Sequence, residues 1–439
     1  MNEFVYNLIH KLKNNSLAKQ SLITMFLRIF GVLFLFGLTL FLTRNYDSKI
    51  VGQYDFIRTY LLVLSALCLL GTDQSILYYA GLVNNNYTIK DLKGVYLKKV
   101  SIVIFTSLLW LVFVFFIGQK VISDFFNDPF IYPIFFKATT ALGFYSLTVL
   151  NTETFRALDK IYTAELFRNI FKYFSLAIGA VYLLQIGKEN YLVDSFLIGF
   201  ILLFIISFMM IINNFNQKIK EETGEIDYLI THKEIIYRSY PMAISGMSFF
   251  LLSSFDLLFL KKYYGNETVA YYSTALKIMS IVSMFVISVN ISVSSKITEF
   301  YYSNNIIELH TTLKNAARLI FVFTLPIALI ICLFSKSILS FFGQGYDSAN
   351  IALIILMIAI LFGSMFGTAF VYLNMTGRQK IFQYIIIFAV VINFFLNKSL
   401  VPKYGIIGAS LSFLASIVFW NVTTAVIIYR KDKTKVFLH

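Results

Sequence analysis

Apolar runs of about 20 residues follow one another along almost the whole chain, separated by short polar breaks. A run of that length crosses hydrocarbon as an α-helix rising 1.5 Å per residue. About twelve spanning helices are predicted, over 21–43, 56–82, 97–118, 130–155, 162–186, 191–213, 234–260, 269–295, 315–335, 348–374, 380–401 and 404–429. The longest polar connection, 214–233, divides them into two sets of six. The expected organisation is an interfacial amphipathic segment over 1–20, a first lobe over 21–213 and a cytoplasmic linker over 214–233. A second lobe over 234–430 and a cytoplasmic tail over 431–439 follow. In the first segment Phe4, Leu8, Ile9 and Leu12 share one helical face, with Lys11 and Lys13 on another, which fits a short helix lying in the membrane surface. A simply solvated start is the alternative reading.

Composition places the chain in the same class. It is 58% hydrophobic and only 14% charged, against about 25% charged in soluble domains. The net charge of +14 would point to nucleic acid in a soluble protein. Here the basic residues act as topology signals, and no nucleic-acid partner is expected. With the N-terminus placed in the cytoplasm, most of the 37 lysines and arginines fall in cytoplasmic connections. That asymmetry puts both termini inside and supports an even number of spans. The first apolar run is long and lacks a small-residue cleavage site, so a cleavable signal peptide is not expected. Cys68 and Cys332 lie in apolar runs and form no metal or disulfide spacing, and the four histidines fall in connections or tails. No metal or organic cofactor is expected.

The two halves repeat. Tyr46, Val51, Gly52 and Tyr54 follow the first span, and Tyr264, Val269, Ala270 and Tyr272 follow the seventh with the same internal spacing. Arg44 and Lys262 keep that offset, and Lys160-Ile161 matches Lys380-Ile381. Both sets begin on the same side, as expected of a parallel duplication with its pseudo-twofold axis along the membrane normal.

Four cations sit inside apolar runs: Arg28, Arg58, Lys137 and Lys277. No neighbouring carboxylate obviously neutralises them. A charge at membrane depth is costly, so such residues face hydrated cavities and meet opposite charge. The implied ligand is an anion. Thr24, Arg28 and Gly31 share one face of the first span, and Ser273, Lys277 and Ser280 one face of the eighth. Arg58 and Lys137 lie closer to helix ends, where snorkelling to the interface is the competing reading. The intramembrane acids Asp73, Glu153 and Asp256 either take up H⁺ or Na⁺ and couple transport to a gradient, or neutralise these cations. No phosphate loop, nucleophile elbow or His-Glu-x-x-His is present, and the external connections are short. An enzyme, such as a membrane polysaccharide polymerase, is therefore the remote alternative.

Short motifs run through the chain: Arg28-x-x-Gly31, Gly52-x-Tyr54, Asp256 and Val269-Ala270-x-Tyr272-x-x-Ala275-x-Lys277. Further on are Pro326, Phe342-Gly343 with Tyr346, Gly377-Arg378-Gln379-Lys380, and Asn393-x-x-x-Asn397 leading to Pro402, Gly405 and Gly408-Ala409. In order and spacing the chain resembles the polysaccharide repeat-unit flippases of the O-antigen and capsule type (Wzx-like). These belong to the multidrug/oligosaccharidyl-lipid/polysaccharide exporter superfamily. The resemblance implies an all-α integral membrane fold of two six-helix lobes arranged as a V, working by alternating access in a bacterial plasma membrane. It implies an undecaprenyl-diphosphate-linked oligosaccharide as substrate, moved from the inner to the outer leaflet, with polysaccharide polymerase machinery as a partner. Arg28, Arg58, Lys137 and Lys277 would then hold the diphosphate, arginine by bidentate bonds and lysine as a point charge. A peptidoglycan-precursor flippase is an alternative, although that group generally carries further C-terminal helices. A multidrug exporter of the same fold is another, although those exporters typically use cavity carboxylates.

Overall fold

The computed structural model describes residues 16–83, 88–220 and 230–438. Most of the expected interfacial segment 1–20, and 221–229 of the linker, lie outside the described residues. The rest is almost wholly helical. In chain order the helices are α1 (Ser16–Asn45), α2 (Ser48–Leu69), α3 (Thr72–Gly81), α4 (Ile89–Phe126), α5 (Ile131–Ala157), α6 (Ile161–Leu166), α7 (Lys172–Gln185) and α8 (Leu192–Lys220). After them come α9 (His232–Tyr264), α10 (Asn266–Tyr302), α11 (Ile306–Leu333), α12 (Ser335–Ser340), α13 (Asn350–Met365), α14 (Ala369–Met375) and α15 (Gln379–Asp432).

Among the described residues eight helices are individually long and apolar enough to cross a membrane, or nine if α2 and α3, bent by 47°, form one span. The remaining crossings are hidden by breaks. α15 has 54 residues, about 80 Å of helix, far more than the ~30 Å of bilayer hydrocarbon. It bends at Gly405 (φ 56°, ψ −129°), three residues after Pro402, and so supplies two spans. α6 and α7 are joined through a π-helical turn, Phe167–Phe171, into one interrupted crossing. α9, 33 residues long, carries Glu234 and Arg238 near its start and Lys261 and Lys262 near its end, with an apolar stretch between them long enough to cross. With these the crossings match the twelve expected.

The helices form two compact units. One comprises residues up to Phe41, Leu64–Phe116 and Ile134–Ala243. In it α7 and α8 meet through small residues: a Cβ on Gly179 would lie 1.8 Å from Ser195 Oγ, and one on Gly199 2.5 Å from Ser175 Oγ. Close backbone approach of this kind supplies the dispersion that holds helices together in lipid. Tyr96 Oη donates to Asn151 Oδ1 (2.7 Å), and Asn151 Nδ2 to Ser207 Oγ (2.8 Å), tying α4, α5 and α8.

The second unit comprises Leu42–Val63, Ile117–Pro133 and Ile244–His439. Its core packs Leu313 of α11, Tyr372 of α14 and Phe382, Ile386 and Ile428 of α15. Arg378 pairs with Asp432 at the end of α15, and Tyr372 Oη donates to the same carboxylate at 2.8 Å. The Gly377-Arg378 motif thereby becomes a turn (φ 75° at Gly377) anchored by an ion pair.

Candidate functional site

The centre of the second unit is Asp55. Gly52, Asp55 and Arg58 step by three along one face of α2. Gly52 lets α2 lie directly on the start of α10: a Cβ there would stand 1.7 Å from the Asn266 carbonyl oxygen and 3.1 Å from the Ala270 nitrogen. That contact brings Asp55, fully buried, under the Lys277 ammonium. Lys277 Nζ lies 2.8 Å from Oδ1 and 2.9 Å from Oδ2, Ser273 Oγ donates to Oδ2 (2.5 Å), and Arg58 Nε lies 3.6 Å from Oδ1. One carboxylate thus serves two cations. Gly52→Ala is expected to lower the melting temperature in detergent and the folded yield. Overpacking of this kind costs about 1–3 kcal/mol or more. Gly37→Ala, at a position with nothing within 4 Å, should leave both unchanged.

A second charged cluster lies in the first unit. Arg28 grips the buried Glu165 with both arms, Nε to Oε2 at 3.1 Å and Nη2 to Oε1 at 2.7 Å. Asn169 Nδ2 donates to the same Oε2 at 2.8 Å. Gly31, one turn after Arg28, makes this reach possible, because a Cβ there would stand 2.5 Å from Asn169 Cβ. Glu153 pairs with Arg168 and with Arg156 (3.2 Å). Asp73 is in electrostatic reach of Lys99 and Arg168. Four cations (Arg28, Lys99, Arg156, Arg168) therefore face three carboxylates (Asp73, Glu153, Glu165). The π-turn carrying Arg168 and Asn169 is the kind of helix irregularity that recurs at functional sites.

Asp256 has a different setting. It is fully buried in α9, and its hydrogen-bond partners among the described residues are neutral: Tyr272 Oη donates to Oδ2 and Asn397 Nδ2 to Oδ1, each at 2.8 Å. Asn397 Nδ2 further reaches Asn393 Oδ1 (3.1 Å). Asn397 Oδ1 is buried without a hydrogen-bond partner. Neutral donors from α10 and α15 therefore close around one buried anionic centre.

The structure corrects the expectation that the four intramembrane cations lack carboxylates. Each is paired: Arg28 with Glu165, Arg58 and Lys277 with Asp55, and Lys137 with Asp194 (2.8 Å). Arg28 remains 31% exposed, whereas Lys277 is 9% exposed. Lys137 stands apart from both clusters and is 53% exposed, as expected of a residue near a helix end. Asp73 and Glu153 lie among the cations, and Asp256 lies with amides. Four residues that matter were not singled out beforehand: Asp55, Lys99, Glu165 and Arg168. Lys99 falls at the start of the span predicted over 97–118. It is buried, donating to Thr72 O (2.9 Å) and Ser75 Oγ (2.7 Å) above the Tyr79 ring. The available signal was its place on one helical face with Tyr96 and Val103, both buried.

Comparison with known proteins agrees with this architecture. The MatE family model matches residues 241–398. Over more than nine-tenths of its length the chain has the fold of solved membrane transporters. The lipid II flippase MurJ, in an inward closed conformation, superposes with a TM-score of 0.73 at 16% identity, covering 93% of this chain and 87% of that one. A multidrug resistance MATE family transporter of the MOP superfamily, in an inward-facing conformation, gives 0.68 at 13% identity, covering 94% and 99%. Among curated proteins the chain is 29% identical over 194 residues to the capsular polysaccharide biosynthesis protein CapF of Staphylococcus aureus, 42% of this chain and 47% of that protein. It is 30% identical over 183 residues to an uncharacterised membrane protein of Methanocaldococcus jannaschii, 41% and 42% respectively. The chain spans less than half the length of each of these relatives. The protein is a multi-pass membrane protein whose fold is shared with solved membrane transporters.

Proposed function

We infer that the protein is a flippase for an undecaprenyl-diphosphate-linked oligosaccharide, acting by alternating access in a bacterial plasma membrane. The observation that carries this reading is Asp55, a buried carboxylate holding two cations. A diphosphate brings more negative charge than one carboxylate and binds arginine and lysine in the same manner, so it can displace Asp55 from Lys277 and Arg58. The Arg28 cluster, with four cations against three carboxylates among the described residues, offers a second place for the same headgroup. An apolar groove of about 830 Å³ between α7 and α8, lined by Phe171, Phe174, Ile178 and Leu202, suits the polyprenyl chain. Lys137, paired and half-exposed, is the weakest of the four proposed headgroup contacts. Polysaccharide polymerase machinery on the outer face would consume the delivered unit.

Coupling is assigned to Asp256. A buried carboxylate with only neutral partners needs a proton or a cation such as Na⁺ to balance it. Glu153, paired with Arg156 and Arg168, and Asp73, near Lys99 and Arg168, are poorer candidates. The similarity to a capsular biosynthesis protein supports a polysaccharide unit as cargo. The MurJ fold supports a peptidoglycan precursor as a second reading with the same headgroup chemistry.

Replacing Arg28 and Lys277 separately with Ala tests the reading. Each should reduce transport roughly ten- to hundred-fold, as expected for a lost charge-assisted contact. Surface glycan should fall and lipid-linked intermediate accumulate at normal protein levels. Full activity in both variants would rule out their role. Translocation assays in proteoliposomes with each lipid-linked substrate separate the two cargoes.

A further inference from the structure

The charge distribution that orients the chain leaves few basic residues on the outer side, yet three of them converge there. Lys49, Lys261 and Lys262 line one cleft of about 650 Å³ with Asp128, Tyr263 and Glu267. Its walls come from the α1–α2, α4–α5 and α9–α10 connections, all within the second unit. That volume lies in the range of small-ligand sites, about 300–1,000 Å³.

The cleft is built rather than incidental. Lys261, 3% exposed, places Nζ 2.6 Å from Asp128 Oδ2. Lys49 Nζ lies 3.6 Å from Glu267 Oε1. Asn127 Nδ2 donates to the Lys262 carbonyl (3.3 Å) and fastens the α4–α5 connection to the end of α9. These pairs use both carboxylates and two lysines. Among the described residues Lys262 makes no ion pair. Its ammonium lies over the Phe125 ring at 4.1 Å and 5.7 Å from the Tyr263 ring. The cleft therefore presents one cation outside the ion pairs, between two aromatic rings and beside two paired lysines.

That combination matches the chemistry of a sugar acid. A pyranose offers a face of C–H groups to an aromatic ring and an edge of hydroxyls to charged and amide side chains. A carboxylate on the ring would meet the Lys262 ammonium. A phospholipid would satisfy the cation but would bring its acyl chains against a largely polar wall.

We propose that this outer cleft binds an anionic saccharide, with Lys262 meeting its carboxylate and Tyr263 stacking on its ring. The proposal rests on the flippase reading only for the source of the saccharide, the glycan delivered to the outer face. The test is therefore a binding measurement on free sugars, separate from transport. The full-length protein in phosphatidylcholine nanodiscs is titrated calorimetrically with trigalacturonate and with neutral maltotriose. Trigalacturonate should bind, maltotriose about ten-fold more weakly or not at all, and Lys262→Ala should cost about ten-fold in trigalacturonate affinity. Tyr263→Ala should weaken it as well, while Tyr263→Phe retains binding. Equal or absent binding of the two sugars, or binding unmoved by Lys262→Ala, would overturn the proposal. So would a Lys262-dependent response to phosphatidylglycerol nanodiscs with none to trigalacturonate. Sugar binding in a protein that translocates no lipid-linked glycan would support the cleft and refute the transport reading.

Discussion

Asp55→Asn is expected to make the protein less stable and at the same time a tighter binder of pyrophosphate. In the native protein Asp55 balances Lys277 and Arg58 inside the second unit. Removing one partner of a buried pair leaves an uncompensated charge, at a cost of about 3–5 kcal/mol. The melting temperature in detergent should fall accordingly. A diphosphate must displace the same carboxylate to reach Lys277, so its removal should raise the affinity for pyrophosphate about ten-fold or more. Added pyrophosphate should then restore much of the lost stability, since binding to the folded form alone stabilises it by mass action. The double variant Asp55→Asn/Lys277→Met removes both charges. It should regain stability without pyrophosphate and lose the pyrophosphate response. Thermal denaturation of the wild type and the two variants, with and without pyrophosphate, reads every arm. If Asp55→Asn melts lower and pyrophosphate neither binds more tightly nor rescues it, Asp55 is a structural staple and the exchange of anions is wrong.

Much of the fold was legible because hydrophobic length and lysine placement are direct consequences of the bilayer. The spans hidden by breaks, the α6–π–α7 crossing and the two arms of α15, were still visible as apolar runs. A run records what touches hydrocarbon, whether or not the helix is continuous. The candidate site was legible only by half. The cations were found because a charge in an apolar run is conspicuous. Asp55 was not, although it lies three residues before Arg58, because the second span was expected to begin at 56. α2 in fact begins at Ser48, in a stretch whose lysine and aspartate make it look like a loop. Glu165 was missed for another reason. Its partner Arg28 is 137 residues away, and pairing across that distance is set by the Gly31–Asn169 contact between helices. Asn393 and Asn397 were noticed as a motif, but their meeting with Asp256 is tertiary, with 141 residues separating Asp256 from Asn397.

Asp256→Asn is expected to uncouple transport from its driving ion while leaving the fold intact. Asparagine has the same shape and accepts a hydrogen bond from Tyr272 at one of the two oxygen positions, but it carries no charge. The fully buried carboxylate has no cationic partner among the described residues, so its neutralisation should raise, not lower, stability without added cation. In the wild type a bound cation supplies the missing charge. A coupling ion at about 100 times its dissociation constant should stabilise the folded form by about 2.7 kcal/mol, seen as a rise in melting temperature with sodium. That rise should vanish in Asp256→Asn, and transport in proteoliposomes should no longer respond to an imposed sodium gradient. Should sodium leave the wild type unmoved while acidification stabilises it, and Asp256→Asn abolish that response instead, the coupling ion is the proton and the same residue carries it. A wild type indifferent to both, or a variant that keeps the response, would remove Asp256 from the mechanism. The partly neutralised Asp73 and Glu153 serve as the comparison. Glu153→Gln strips the counter-charge from Arg156 and Arg168, so it should destabilise the first unit and leave any ion-dependent stabilisation in place. Opposite signs for the two substitutions follow from one physical difference: Glu153 neutralises cations already present, whereas Asp256 has a charge that only an incoming ion can meet.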